Sequence, residues 1–105
     1  MFGRRQSKEK KEHSRLIERL DERIVKYVTQ RDPETSIESV IGRNGCINTK
    51  NGQITIVCDG SEVFRCDINQ ARCGELLSLE GVAIHATDPS TGKETIIIAY
   101  YKYYR

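Results

Sequence analysis

The chain reads as a mainly β protein of the α+β class: an N-terminal amphipathic helix followed by a small antiparallel β-barrel or strongly curved sheet. Three observations predict it. Apolar residues from Leu16 onward recur at helical spacing. Beyond Pro33 the period drops to two, and Asn51-Gly52 and Asp59-Gly60 each sit between apolar runs. The last segment, Thr95-Ile96-Ile97-Ile98-Ala99-Tyr100-Tyr101, is apolar on both faces, as a centrally placed strand is.

The helix is expected from Ser14 to about Arg31. Leu16, Leu20, Ile24 and Val28, with Ile17 and Tyr27 beside them, make one stripe of a 3.6-residue period. Glu18, Arg19, Glu22, Arg23 and Lys26 fall on the opposite side, where Glu22 and Lys26 form a favourable i,i+4 pair. Pro33 ends it, because a residue before proline is pushed out of the helical region. Residues 1–13 carry charge without an apolar face and are expected to be a flexible segment ahead of a single domain over residues 14–105.

The β region is expected to hold five to seven strands. Gly42-Arg43-Asn44-Gly45 reads as a turn. Asn51-Gly52 and Asp59-Gly60 favour two-residue type I′ turns, whose central positions both need positive φ. Residues 69–74 break the pattern, as a loop or one helical turn would. Strand character resumes over Leu76 to Thr87, with a bend at Gly81, and Asp88-Pro89-Ser90-Thr91-Gly92 is a turn before the last strand. An SH3-like or Sm-like barrel with the helix over one open end would bury these faces. A pleckstrin-homology-like barrel fits less well, since that architecture ends in a long helix and this chain ends in a strand.

At 105 residues, one domain is expected. Apolar residues make up 37% and charged residues 30%, which gives a lean core under a heavily charged surface. The net charge of +2 is unevenly spread: residues 1–32 hold ten Lys/Arg against six Asp/Glu, and residues 33–105 hold seven against nine. No apolar run has the length of a membrane span, and no apolar h-region follows the basic start. A cytoplasmic location with reduced cysteines is the expectation.

Cys46, Cys58, Cys66 and Cys73 are spaced twelve, eight and seven apart, unlike the paired Cys-x-x-Cys knuckles of a zinc site. Cys58 shares a strand face with Ile54 and Ile56, and Cys66 with Phe64 and Ile68, so both read as small core hydrophobes. His13 reads as a solvated side chain and His85 as an outward strand residue. No nucleophile elbow, phosphate-binding glycine loop or acid–base carboxylate pair is present in the sequence. The chain is therefore expected to be no enzyme and to need no metal or cofactor.

Two binding readings follow. The first is a protein-interaction or self-association module, suggested by the tyrosine-rich last strand and the amphipathic helix. The alternative is a nucleic-acid-binding barrel. There Arg4, Arg5, Lys8, Lys11, Arg15 and Arg19 would follow phosphates, and Tyr101 and Tyr103 would stack bases. Glu9, Glu12 and Glu18 interrupt that basic run and weigh against it.

Overall fold

The computed structural model describes residues 13–87 and 91–103. Residues 13–20 form helix α1. Seven strands follow: β1 (Arg23–Arg31), β2 (Glu38–Asn48), β3 (Gln53–Cys58), β4 (Ser61–Asp67), β5 (Ala71–Glu75), β6 (Gly81–Thr87) and β7 (Glu94–Tyr101). A short 3-10 turn, Ile68–Gln70, lies between β4 and β5.

The strands form one antiparallel sheet in the order β4-β3-β2-β1-β7-β6-β5. Two meanders therefore meet at β1, which pairs with β2 on one side and β7 on the other. The two edges, β4 and β5, are separated by six strand spacings, about 29 Å if the sheet were flat. Yet only residues 68–70 join them, and three residues reach roughly 10 Å. The sheet must curl back on itself to satisfy that link. Successive antiparallel pairings also leave β4 and β5 running the same way. Residues 61–75 thus form an almost continuous run whose first half pairs with β3 and whose second half pairs with β6.

The sheet is strongly curved but not closed: no ladder joins β4 to β5. The expected SH3-like or Sm-like barrel is not what this pairing describes. Its concave face is packed with Val25, Val28, Ile47, Ile54, Ile56, Val82, Ile84, Ile97 and Ala99. A helix does cover this core, contributing Leu16, Ile17 and Leu20, and it precedes the strands. Burying each such side chain stabilises the fold by about 1.5–3 kcal/mol.

The helix is shorter than its apolar stripe suggests. It ends at Leu20, and Glu22 takes a left-handed φ of 64° before β1 begins. The Glu22 N–H donates to the Ile47 carbonyl at 2.7 Å, the Asp21 carboxylate accepts the Thr49 N–H at 2.9 Å, and the Thr49 hydroxyl donates to the Ile17 carbonyl at 3.1 Å. The helix end is thereby tied to the end of β2. Ile24 and Val28 belong to a strand, as β-branched residues favour.

Gly42 to Gly45 likewise lie within β2 and form no turn. Asn44 has a φ of 53°, and the register of β1 against β2 slips by one residue near Val28. These glycines are needed for close packing. A Cβ on Gly45 would stand 2.5 Å from both Cys58 Sγ and the Val57 carbonyl oxygen. The other turn assignments stand: Asn51 and Gly52 have φ of 59° and 72°, and Asp59 and Gly60 have 50° and 79°, the I′ pattern. Residues 76–80 form a loop rather than strand, and the expected turn over 88–92 lies partly outside the described residues.

Gly45→Ala is expected to destabilise the fold by about 1–3 kcal/mol through overpacking. Gly74→Ala, where a Cβ meets nothing within 4 Å, serves as the control and should shift the urea midpoint little. Equal midpoints for the two variants would contradict the packing role of Gly45.

Candidate functional site

Three sets of chemistry-bearing side chains can be located: the thiols, the basic and tyrosine residues, and the exposed apolar residues. Three of the four thiols are turned inward, while Cys46 lies on the outer face beside Ile24 and Val57. Cys58 is buried, while Cys66 and Cys73 pack against the core from β4 and β5. Burial pushes the Cys66 thiol up to about 11 and the Cys73 thiol up to about 12, with Asp67 adding to the first and Cys66 to the second. Such groups are poor nucleophiles, because the thiolate is the reactive form. Among the described residues, no three His, Cys, Asp or Glu side chains converge as a metal site.

Both histidines have partners. His85 Nδ1 lies 3.2 Å from Glu94 Oε1 on the outer face. His13, expected to be solvated, is helical, and its Nε2 accepts the Cys73 backbone N–H at 3.3 Å. That contact requires the tautomer that leaves Nε2 unprotonated.

Of the basic residues singled out from sequence, Arg4, Arg5, Lys8 and Lys11 lie outside the described residues. Arg15 and Arg19 are exposed on α1, and Arg19 donates to Glu75 of β5 at 2.8 Å. That exposed pair contributes under about 1 kcal/mol. Tyr101 is a correction: it is only 2% exposed and belongs to the core, so it offers no face for stacking a base. Burial, with Glu75 nearby, pushes its hydroxyl up to about 12. Arg23, which the sequence reading did not single out, covers its ring at 4.0 Å from guanidinium to centroid. Arg23 also donates to the Tyr103 carbonyl at 3.1 Å. Tyr103 itself is 66% exposed, with the Lys102 ammonium 5.7 Å from its ring. The second tyrosine pair, Tyr27 and Tyr100, stacks with centroids 4.6 Å apart.

The structure therefore gathers Arg19, Arg23, Tyr101, Lys102 and Tyr103 at one end of the sheet. It also brings there a loop that sequence reasoning assigned to a strand. Residues 76–80 join β5 to β6, held by Leu76 N–H to the Gly81 carbonyl at 2.9 Å and Leu79 N–H to the Leu76 carbonyl at 2.8 Å. The Tyr101 N–H donates to the Glu80 carbonyl at 2.8 Å and fixes the loop beside the end of β7. Leu77 is fully exposed and Leu79 is 58% exposed. Leu79 also has a φ of 62°, a left-handed conformation that costs a side-chain-bearing residue about 1–2 kcal/mol. Glycine or asparagine is the ordinary occupant of such a position.

The opposite end of β7 borders a cleft of about 900 Å³. Pro33, Ile37 and Ile41 supply its apolar surface; Arg31, Asp32, Glu34, Lys93 and Glu94 are its charged residues. The Asp32 carboxylate organises the β1–β2 loop by accepting the N–H groups of Glu34 at 2.8 Å and Thr35 at 3.3 Å. On the outer face, Thr29 is buried and its hydroxyl has no hydrogen-bond partner among the described residues.

The raised thiol values carry a reactivity expectation. At pH 8, Cys73 in the folded chain should react with an alkylating reagent roughly a thousandfold more slowly than in the unfolded chain. The stability associated with the neutral Cys66 and Cys73 thiols is fully present below pH 9. It is lost as pH rises toward 11 and 12. Rapid native-state labelling of Cys73, read by peptide mass spectrometry, would contradict this.

No helix among the described residues is long and apolar enough to cross a membrane. Compared with protein-family models, curated proteins and solved structures, the chain matches none of them.

Proposed function

We propose that this chain is a non-enzymatic protein-interaction module that docks through the β5–β6 loop. The observation that carries the reading is Leu77 and Leu79 on a loop where one leucine is fully exposed and the other adopts a left-handed backbone. Apolar exposure of this kind favours contact with another surface. Strain at an exposed position is retained when the surrounding structure has a use for it. Arg23 and Tyr103 stand at the same end of the sheet, where Arg23 bonds the Tyr103 carbonyl. Arginine and tyrosine are residue types enriched where interfaces gain their affinity.

The nucleic-acid alternative is weaker on this geometry. It keeps Arg15, Arg19 and Tyr103 but loses Tyr101 as a stacking platform. Glu75 and Glu80 also sit among the cations.

Leu79→Gly separates folding from docking. It should raise stability by about 0.5–1 kcal/mol, since the left-handed penalty disappears and little buried area is lost. Combined with Leu77→Glu, it should abolish capture of protein partners by the immobilised chain, with the wild-type capture resistant to nuclease. Partners retained equally by the double variant would overturn the loop as the docking element. Capture that disappears on nuclease treatment would favour the nucleic-acid alternative.

A further inference from the structure

Independently of the docking loop, we infer that His13 is an acid-released cap on the free edge of β5. This strand ends the sheet, so it pairs with β6 alone and its other edge faces no strand. Every second N–H of an antiparallel strand points toward such an edge. An unpaired row of donors is a template for another strand, and native proteins cover it. Two of these donors have partners in the fold. The Ala71 N–H is bonded to the Ile68 carbonyl of the 3-10 turn. The Cys73 N–H is bonded to His13 Nε2 of α1 at 3.3 Å. The first cap is a carbonyl, which accepts at any pH. The second is an imidazole nitrogen, which accepts only while it carries no proton.

Protonation puts a hydrogen on Nε2 and turns two donors toward each other. The bond is then lost, and the Cys73 N–H is uncovered at the sheet edge. Histidine is the side-chain type whose charge changes between pH 5 and 8. The charged groups on the two bonded elements are Arg15, Glu18 and Arg19 of α1 and Arg72 and Glu75 of β5. Arg19 and Glu75 are paired at 2.8 Å, and Arg23 of β1 lies over the Tyr101 ring. Arginine and carboxylate side chains as types keep their charge over that window. The Cys73 thiol and the Tyr101 hydroxyl are held at about 12 and the Cys66 thiol of β4 at about 11, so all three stay neutral through it. His85 lies on the outer face against Glu94, across the sheet from α1. The change of charge at this contact therefore belongs to His13. The release is local, because the rest of α1 is held by Leu16, Ile17 and Leu20 in the core and by the Thr49 hydroxyl donating to the Ile17 carbonyl at 3.1 Å.

The experiment is amide hydrogen exchange of the isotopically labelled full chain, read by NMR at pH 5 and pH 7.5 and corrected for the intrinsic pH dependence of exchange. Loss of one hydrogen bond should lower the protection of the Cys73 amide roughly three- to tenfold at the lower pH. The amides of Ala71, at the neighbouring cap, and Val28, in the central strand, should keep theirs. His13→Gln, whose side-chain oxygen accepts at either pH, should leave Cys73 protected at both. His13→Ala should leave it at the lower level at both. Cys73 protection that does not change with pH in the wild type overturns the inference. So does the same fall in His13→Gln, and so does a fall shared by Ala71 and Val28, which would mark loosening of the whole fold.

Discussion

Two antiparallel ladders meet on β1, and they make one sheet out of two meanders. Its side toward β2 carries the β2–β3–β4 half, and its side toward β7 carries the β7–β6–β5 half. Without the β7 ladder, the short turn at 68–70 would be the chain link between the halves; without the β2 ladder, the β1–β2 loop would join them as well. Both ladders contain a register slip, one near Val28 and one between Val25 and Tyr27. Bulges bend a strand and increase its twist. The extra residues are Lys26 on β1 and Ile41 on the adjoining β2, where the sheet has to turn so that its two edges can come within reach of a three-residue link. The concave core is a consequence of that curvature, and α1 fits because the curvature leaves a face for Leu16, Ile17 and Leu20 to cover.

The same bulges explain why the first strand was legible as a helix. In a regular strand, inward residues are two apart. Here Val25 and Val28 both point into the core three apart, because the slip inserts an extra residue between them. The stripe expected from sequence runs through Leu16, Leu20, Ile24 and Val28; the first two do lie on a helix, but Ile24 is 46% exposed and stands on the other face of β1 from Val28. The I′ turns were readable because their chemistry is local: two adjacent positive φ angles select Asn-Gly or Asp-Gly. Gly42 and Gly45 were not, because the reason for glycine there is Cys58 on a neighbouring strand, and no local pattern records that contact.

The candidate site was legible in part for a similar reason. The cluster of tyrosines near the C-terminus was visible, but which of them faces inward depends on the pairing of β7 with β1. That pairing puts Tyr101 opposite Val25 and into the core. Leu77 and Leu79 looked like strand residues because alternating leucines fit a two-residue period. Their actual setting, a five-residue hairpin loop with a left-handed leucine, breaks the usual preference for glycine or asparagine. A local preference violated at an exposed position is where sequence reasoning fails for a functional reason as readily as for a structural one.

That violation bears on how the two ends of the sheet differ. A β-hairpin loop could have been closed with glycine at the Leu79 position at lower conformational cost. The exposed Leu77 adds nothing to the core, since its side chain is wholly in solvent. At the other end, the Asp32 carboxylate and the Thr35 hydroxyl bond the backbone of the β1–β2 loop and hold it in a defined shape beside the cleft. One end therefore displays apolar surface on a braced protrusion, and the other holds open a shaped recess. Neither arrangement is required by the curvature that α1, the two meanders and β1 impose. The loop end is a part of the molecule that folding alone leaves unexplained, and the proposed docking role rests on it rather than on the thiols or the buried tyrosine.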